Sequence, residues 1–132
     1  MQGIRLDRVL SSSVHYPGDY GFIPGTRSGD GDPLDVLILV EEPTFPGCRV
    51  QVRPIGVLLL QDDLEEDEKI LAVPVADPRF AEVTDLMDLP QHWLAEVETF
   101  FETYKALEEK TTAVGGWRGV AEAREVLRRR ST

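Results

Sequence analysis

The stretch Asp30-Gly31-Asp32-Pro33-Leu34-Asp35 sets three carboxylates within six residues, on a tight turn that feeds the apolar run Val36–Val40. Asp-Gly and Asp-Pro dipeptides bend the chain sharply, so the carboxylates of such a turn can point at one spot. Oxygen donors gathered in this way suit Mg²⁺ and similar hard cations, although the same dipeptides also make ordinary solvated turns. A helix-loop-helix calcium loop does not fit, because its fifth position would be Leu34 and its required glycine would be Asp35. Asp35 is the most demanding of the three, since a carboxylate that opens a buried strand is costly unless a partner such as a cation meets it.

A second acidic run, Asp62-Asp63-Leu64-Glu65-Glu66-Asp67-Glu68, leads through Lys69 into the next apolar segment. Alone, it reads as a solvated hairpin loop. Joined to the first cluster, it can close a two-metal cradle of the kind that clamps phosphate oxygens. Phosphate chemistry also needs cations on the protein, and lysine is scarce: there are eleven arginines and three lysines. Lys69 ends the acidic run, and Lys105 follows Tyr104 one position off an apolar helical stripe, where the plain alternative is a surface lysine beside a core tyrosine.

These groups must be carried by strands early in the chain and helices late. Thirteen of the 20 glycines and prolines fall between residues 16 and 56, the pattern of turns and short strands, whereas residues 82–110 hold only Pro90. Strands are expected at Ile4–Leu10, Asp35–Val40, Arg49–Arg53, Ile55–Gln61 and Ile70–Val75, with a bend or bulge at Pro54. From Gln91, the residues Trp93, Leu94, Val97, Phe100, Phe101, Tyr104 and Leu107 recur at helical spacing, with Asp88 as cap and Pro90 in the first turn. Gly115-Gly116 reads as a break before a second helix whose face is Val120, Ala123, Val126 and Leu127, and Arg128-Arg129-Arg130 reads as its frayed end. Strands first and helices last give an α+β domain, a small barrel with helices outside it.

The 132 residues fit one domain and can bury a core without disulfides; the lone Cys48 reads as a buried small hydrophobe and points to a reducing cytosol. A formal charge of −10 opposes a nucleic-acid partner, which would need a basic footprint. The absence of a long apolar run and the charged opening of the sequence place the chain in the cytoplasm with no membrane partner.

Five ordered motifs together give the sequence a recognisable identity: Leu6-Asp7-Arg8-Val9-Leu10, Tyr16-Pro17-Gly18-Asp19-Tyr20-Gly21-Phe22-Ile23-Pro24, Asp30–Val36, Asp62–Lys69 and Phe100-Phe101-Glu102-Thr103-Tyr104-Lys105. In these it resembles the family I soluble inorganic pyrophosphatases over nearly its whole length. The resemblance implies an OB-like five-stranded β-barrel with flanking C-terminal helices. It implies hydrolysis of pyrophosphate to two phosphates, with several Mg²⁺ ions and attack by a metal-bound hydroxide, in a homo-oligomer that is often a hexamer. Carried over by position, Asp30, Asp35 and Asp67 would bind the tighter metal, with Asp35 bridging to a second, and Asp62 and Asp67 would hold a metal that arrives with substrate. Asp32 would be the general base. Arg8, Lys69, Tyr104 and Lys105 would grip phosphate oxygens, and Tyr20 and Tyr16 would donate hydrogen bonds at the edge.

Members of the family carry a further stretch before Arg5, with a strand that pairs with the Leu6–Leu10 region and supplies a lysine and acidic residues; this sequence starts at Met1-Gln2-Gly3. The expectation is therefore an N-terminally short domain over residues 1–132 with weakened catalysis. The alternative is a catalytically weak family member with a structural or regulatory role.

Overall fold

The computed structural model describes residues 4–5, 18–29, 31–39, 47–62, 65–107 and 112–132. Its centre is a long antiparallel hairpin. Strand β5 (Val52–Asp62) runs against β6 (Glu65–Pro74), in register from Val52↔Pro74 to Asp62↔Glu65. On the far side of β6 lies β3 (Leu34–Ile38), the one parallel neighbour among the described strands. The antiparallel β2 (Asp19–Ile23) follows, and then the short β1 (Ile4–Arg5) and β4 (Arg49–Val50). β7 (Thr112–Arg118) closes the other edge against β5, giving the order β4-β1-β2-β3-β6-β5-β7.

The α+β expectation holds. The closed five-stranded barrel does not: among the described residues the strands form one open mixed sheet of seven, with β4 and β7 at opposite ends. A barrel requires its first and last strands to pair.

Strand alternation splits the apolar side chains into two cores. On one face Leu37, Leu58, Leu60, Leu71 and Val73 pack with Leu94, Val97, Phe100 and Phe101 of helix α1 (Gln91–Leu107). On the other, Val36, Val57, Ile70 and Ala72 pack with Ala123 and Val126 of helix α2 (Val120–Arg130). Both helices begin at the expected places. The cap differs: Asp88 Oδ2 accepts from the N–H groups of Thr84 and Asp85, closing the short 3-10 turn Leu86–Asp88 ahead of α1. At the start of α2, Asp85 Oδ1 accepts from the Val120 N–H, so that helix takes its cap from a distant segment.

The bulge expected at Pro54 is present, while the separate strands expected on either side of it and the break expected at Gly115-Gly116 are corrected. β5 runs through Pro54, and the register slips between Pro54 and Gly56, which puts Ile55 and Val57 on opposite faces. The proline is tolerated because β7 pairs with β5 only from Val57 onward. Gly115-Gly116 is not a break but the middle of β7. The register there slips between Leu59 and Leu60, and Gly116 takes a φ of +92°, which only glycine adopts readily. The acidic run is corrected as well: β6 begins at Glu65, so residues 65–69 belong to a strand rather than a loop. β2 was not anticipated, the Ile4–Leu10 expectation lies outside the described residues after Arg5, and Cys48 is only partly buried.

Candidate active site

Lys69 is the centre of the candidate site. The parallel register of β3 and β6 sets Asp35 beside Lys69, and alternation along β6 places Asp67 on the same face two residues earlier. The β2–β3 pairing brings in Tyr20. The Lys69 ammonium donates to Asp35 Oδ2 at 2.5 Å and to the Tyr20 hydroxyl at 2.8 Å, and it lies 3.0 Å from Asp67 Oδ1. An ammonium has three N–H donors, and three oxygens surround this one. The Phe101 ring lies 5.6 Å from Nζ and gives the cation an apolar wall with a favourable quadrupole.

Lys69 is only 4% exposed. Burial by itself presses its ammonium toward the neutral form; the Asp35 and Asp67 carboxylates overcome that pressure and hold its pKa above that of an ordinary lysine. The group is a buried cation between two acids. Because its hydroxyl accepts from Lys69, Tyr20 has its own O–H polarised for donation.

The turn that carries Asp32 is built separately and pressed against β6. Thr26 staples its ends, donating to the Ile23 carbonyl at 2.6 Å and accepting from the Leu34 N–H at 2.9 Å. Inside it the Ser28 N–H donates to the Asp32 carbonyl and the Gly31 N–H to the Ser28 carbonyl. A Cβ on Gly29 would stand 2.8 Å from the Glu66 carbonyl oxygen, so only glycine lets this turn lie against β6. Asp32 is exposed at the turn, next to the strand that carries Asp67 and Lys69.

Of the residues singled out from the sequence, the structure brings Asp35, Asp67, Lys69 and Tyr20 together and puts Asp32 on the adjoining turn. Asp62 is the last residue of β5, and Tyr104 and Lys105 lie in the last turn of α1, with the side chains of all three outside the described set. Arg8, Tyr16 and Asp30 lie outside the described residues.

The reverse face of β6 holds what the sequence reading missed. Glu68 is 3% exposed and accepts from Arg129 Nη2 at 2.5 Å and from Arg130 Nε at 2.7 Å, while Glu66 accepts from Arg130 Nη2 at 2.6 Å. The expected frayed end of α2 is thus corrected to an anchored one, because two of its three arginines meet carboxylates across the sheet. Alternation of Glu66 and Glu68 against Asp67 and Lys69 would have signalled this, had the strand been extended back through the acidic run.

Asp35 and Asp67 converge on one cationic atom and offer hard oxygens, so their donor set fits a divalent cation. Among the described residues no group of three acidic, histidine or cysteine side chains could hold a metal ion.

The inorganic pyrophosphatase family model matches residues 1–132. The chain belongs to the inorganic pyrophosphatase family. The inorganic pyrophosphatase of Haloferax volcanii is 51% identical over 126 residues, which cover 95% of this chain and 71% of that protein. The inorganic pyrophosphatase of a Nostoc species is 50% identical over 127 residues, 96% of this chain and 75% of its own length. Among solved structures, the Thermus thermophilus inorganic pyrophosphatase superposes with a TM-score of 0.83 at 46% identity, covering 92% of this chain and 72% of that one.

Proposed function

We propose that this inorganic pyrophosphatase family member hydrolyses inorganic pyrophosphate to two phosphates with Mg²⁺ as its metal. The observation that carries the reading is the Asp35–Lys69–Asp67 cluster with Tyr20, a buried cation between acids in a chain of this family. Asp30, Asp35 and Asp67 would hold the tighter metal, with Asp35 shared with a second, and Asp62 and Asp67 would hold a further one. A divalent cation bound there supplies screening of a polyanionic substrate and acidification of water. Asp32, exposed on its turn, takes the proton from the attacking water. Arg8, Lys69, Tyr104 and Lys105 hold phosphate oxygens, and Tyr20 and Tyr16 donate from the edge. Lys69, now engaged by Asp35 and Asp67, would be the buried cation placed to meet a substrate oxygen if those acids held a divalent cation.

No helix among the described residues is long and apolar enough to cross a membrane. The proposal extends to a single cytoplasmic domain assembled as a homo-oligomer, with a hexamer expected in light scattering and a lone monomer at micromolar concentration counting against it. The alternative of a structural or regulatory subunit has no observation in its favour.

The test is phosphate release from pyrophosphate with Mg²⁺ and then with excess chelator. Release is expected only with the metal, and undiminished release under chelation sinks the proposal. Asp32→Asn is expected to lower turnover about 10²-fold or more while sparing Mg²⁺ affinity, and Asp35→Asn to lower both. Equal affinity losses in the two variants would overturn the division of roles.

A further inference from the structure

The end of α2 touches both pieces of chain that carry the candidate chemistry. Through its side chain, Arg130 holds Glu68 and Glu66, which interleave with Asp67 and lie next to Lys69 along β6. Through its backbone, the Arg130 carbonyl accepts from the Arg27 N–H at 2.8 Å. The Thr132 N–H donates to the Gly25 carbonyl at 2.9 Å, and Thr26 bridges to Ser131. Arg27 leads directly into the Ser28–Asp32 turn, whose Gly29 rests on the Glu66 carbonyl. One residue therefore joins the strand of Asp67 and Lys69 to the turn of Asp32 from behind the sheet.

Side chains on opposite faces of a strand share one backbone, so a fixed Glu68 fixes the backbone between Asp67 and Lys69. Two features make this a rigid strut. The Arg130 side chain is 17% exposed, and the Glu68 carboxylate is buried with both oxygens bonded to guanidinium groups.

We propose that Arg130, acting through Glu68 and Glu66 and through the 25–27 backbone, is a positioning residue that sets the Asp32 turn against the Asp67–Lys69 segment. It touches no substrate. The inference rests on the proposed pyrophosphatase activity and adds to it a contribution from the far face of the sheet.

The experiment compares Arg130→Ala and Arg130→Lys with Arg128→Ala, whose side chain, among the described residues, meets the surface residue Glu125 in the same helix. Two readouts are taken on the full chain: amide hydrogen exchange by segment, and kcat and KM for pyrophosphate with Mg²⁺. Both Arg130 variants are expected to exchange about tenfold faster in residues 25–29 and 66–69 than wild type. Their kcat should fall roughly ten- to hundredfold, as misplacement of reacting groups dictates, with KM moving much less. Arg128→Ala should match wild type in both. If Arg130→Ala does not fold, Arg130→Lys decides, since it keeps a charge; neither substitution removes the backbone carbonyl. Exchange that quickens evenly across the sheet, or local quickening with unchanged kcat, would overturn the proposal. Wild type that shows no hydrolysis would defeat the functional reading alone, because the exchange pattern tests the strut without activity.

Discussion

The two faces of β6 bury different ionic sets. Toward α1 a buried cation, Lys69, sits between a buried acid, Asp67, and a more open one, Asp35, whose side chain is 30% exposed. Toward α2 the buried charge is an anion, Glu68, and its cations come from a helix end with Arg130 covered and Arg129 about half exposed. Both clusters satisfy their charges, yet they can do different things. An acid that opens to solvent beside a buried lysine, as Asp35 does, can exchange that partner for a metal ion. A buried glutamate held by two guanidiniums has nothing to exchange, and so it suits a fixed support.

The most damaging change should be Lys69→Met. It leaves Asp67 buried beside Asp35 without their cation, and removal of one partner of a buried pair costs about 3–5 kcal/mol. Urea denaturation in chelator should show that loss, and pyrophosphate turnover should fall at least about 10²-fold. A variant as stable as wild type would mean that the lysine is not the pivot of its face.

Metal addition sharpens the contrast. Mg²⁺ at a hundred times its dissociation constant should stabilise wild type by about 2.7 kcal/mol. Glu68→Gln should retain that increment, and Asp35→Asn should lose most of it. Equal increments in the two variants would erase the functional difference between the faces.

Gly29→Ala probes the seam between turn and strand. The new Cβ would meet the Glu66 backbone oxygen at 2.8 Å, so the turn must lift, at about 1–3 kcal/mol in thermal unfolding and with a drop in turnover.

The smallest effect concerns the short turn ahead of α1. Amide hydrogen bonds from Thr84 and Asp85 hold the Asp88 carboxyl below its usual 3.8. A depressed carboxyl stabilises the fold above its unfolded pKa and loses that contribution as pH falls through the lower folded value. Acid unfolding profiles of wild type and Asp88→Asn should therefore differ slightly above pH 3.8 and converge as pH falls through the lower folded value.

Much of the site was legible because its residue types are locally constrained. An acid that opens an apolar strand must have a partner, and Asp35 has Lys69. The α1 stripe was legible for the same reason, since one periodicity fixes one buried face. The strut was not, because Arg129 and Arg130 gain their meaning from Glu68, 61 and 62 positions away. Gly115-Gly116 misled because a bulge and a break share the same residues, and only the neighbouring strand tells them apart. The acidic run looked like a loop because charge hid its alternation, and the open sheet followed from pairings that no local pattern encodes.

The contact between residues 25 and 132 also bears on the order in which the molecule assembles. The β5–β6 hairpin joins neighbours in sequence and can zip within microseconds of collapse. The parallel β3–β6 pairing and the Thr132–Gly25 bond, which spans 107 positions, each require a large loop to close before any contact rewards it. Folding should therefore run from a hairpin that forms early to a catalytic neighbourhood that forms last, and a chain caught before that closure would hold Lys69 on a finished strand with its acidic partner Asp35 still searching.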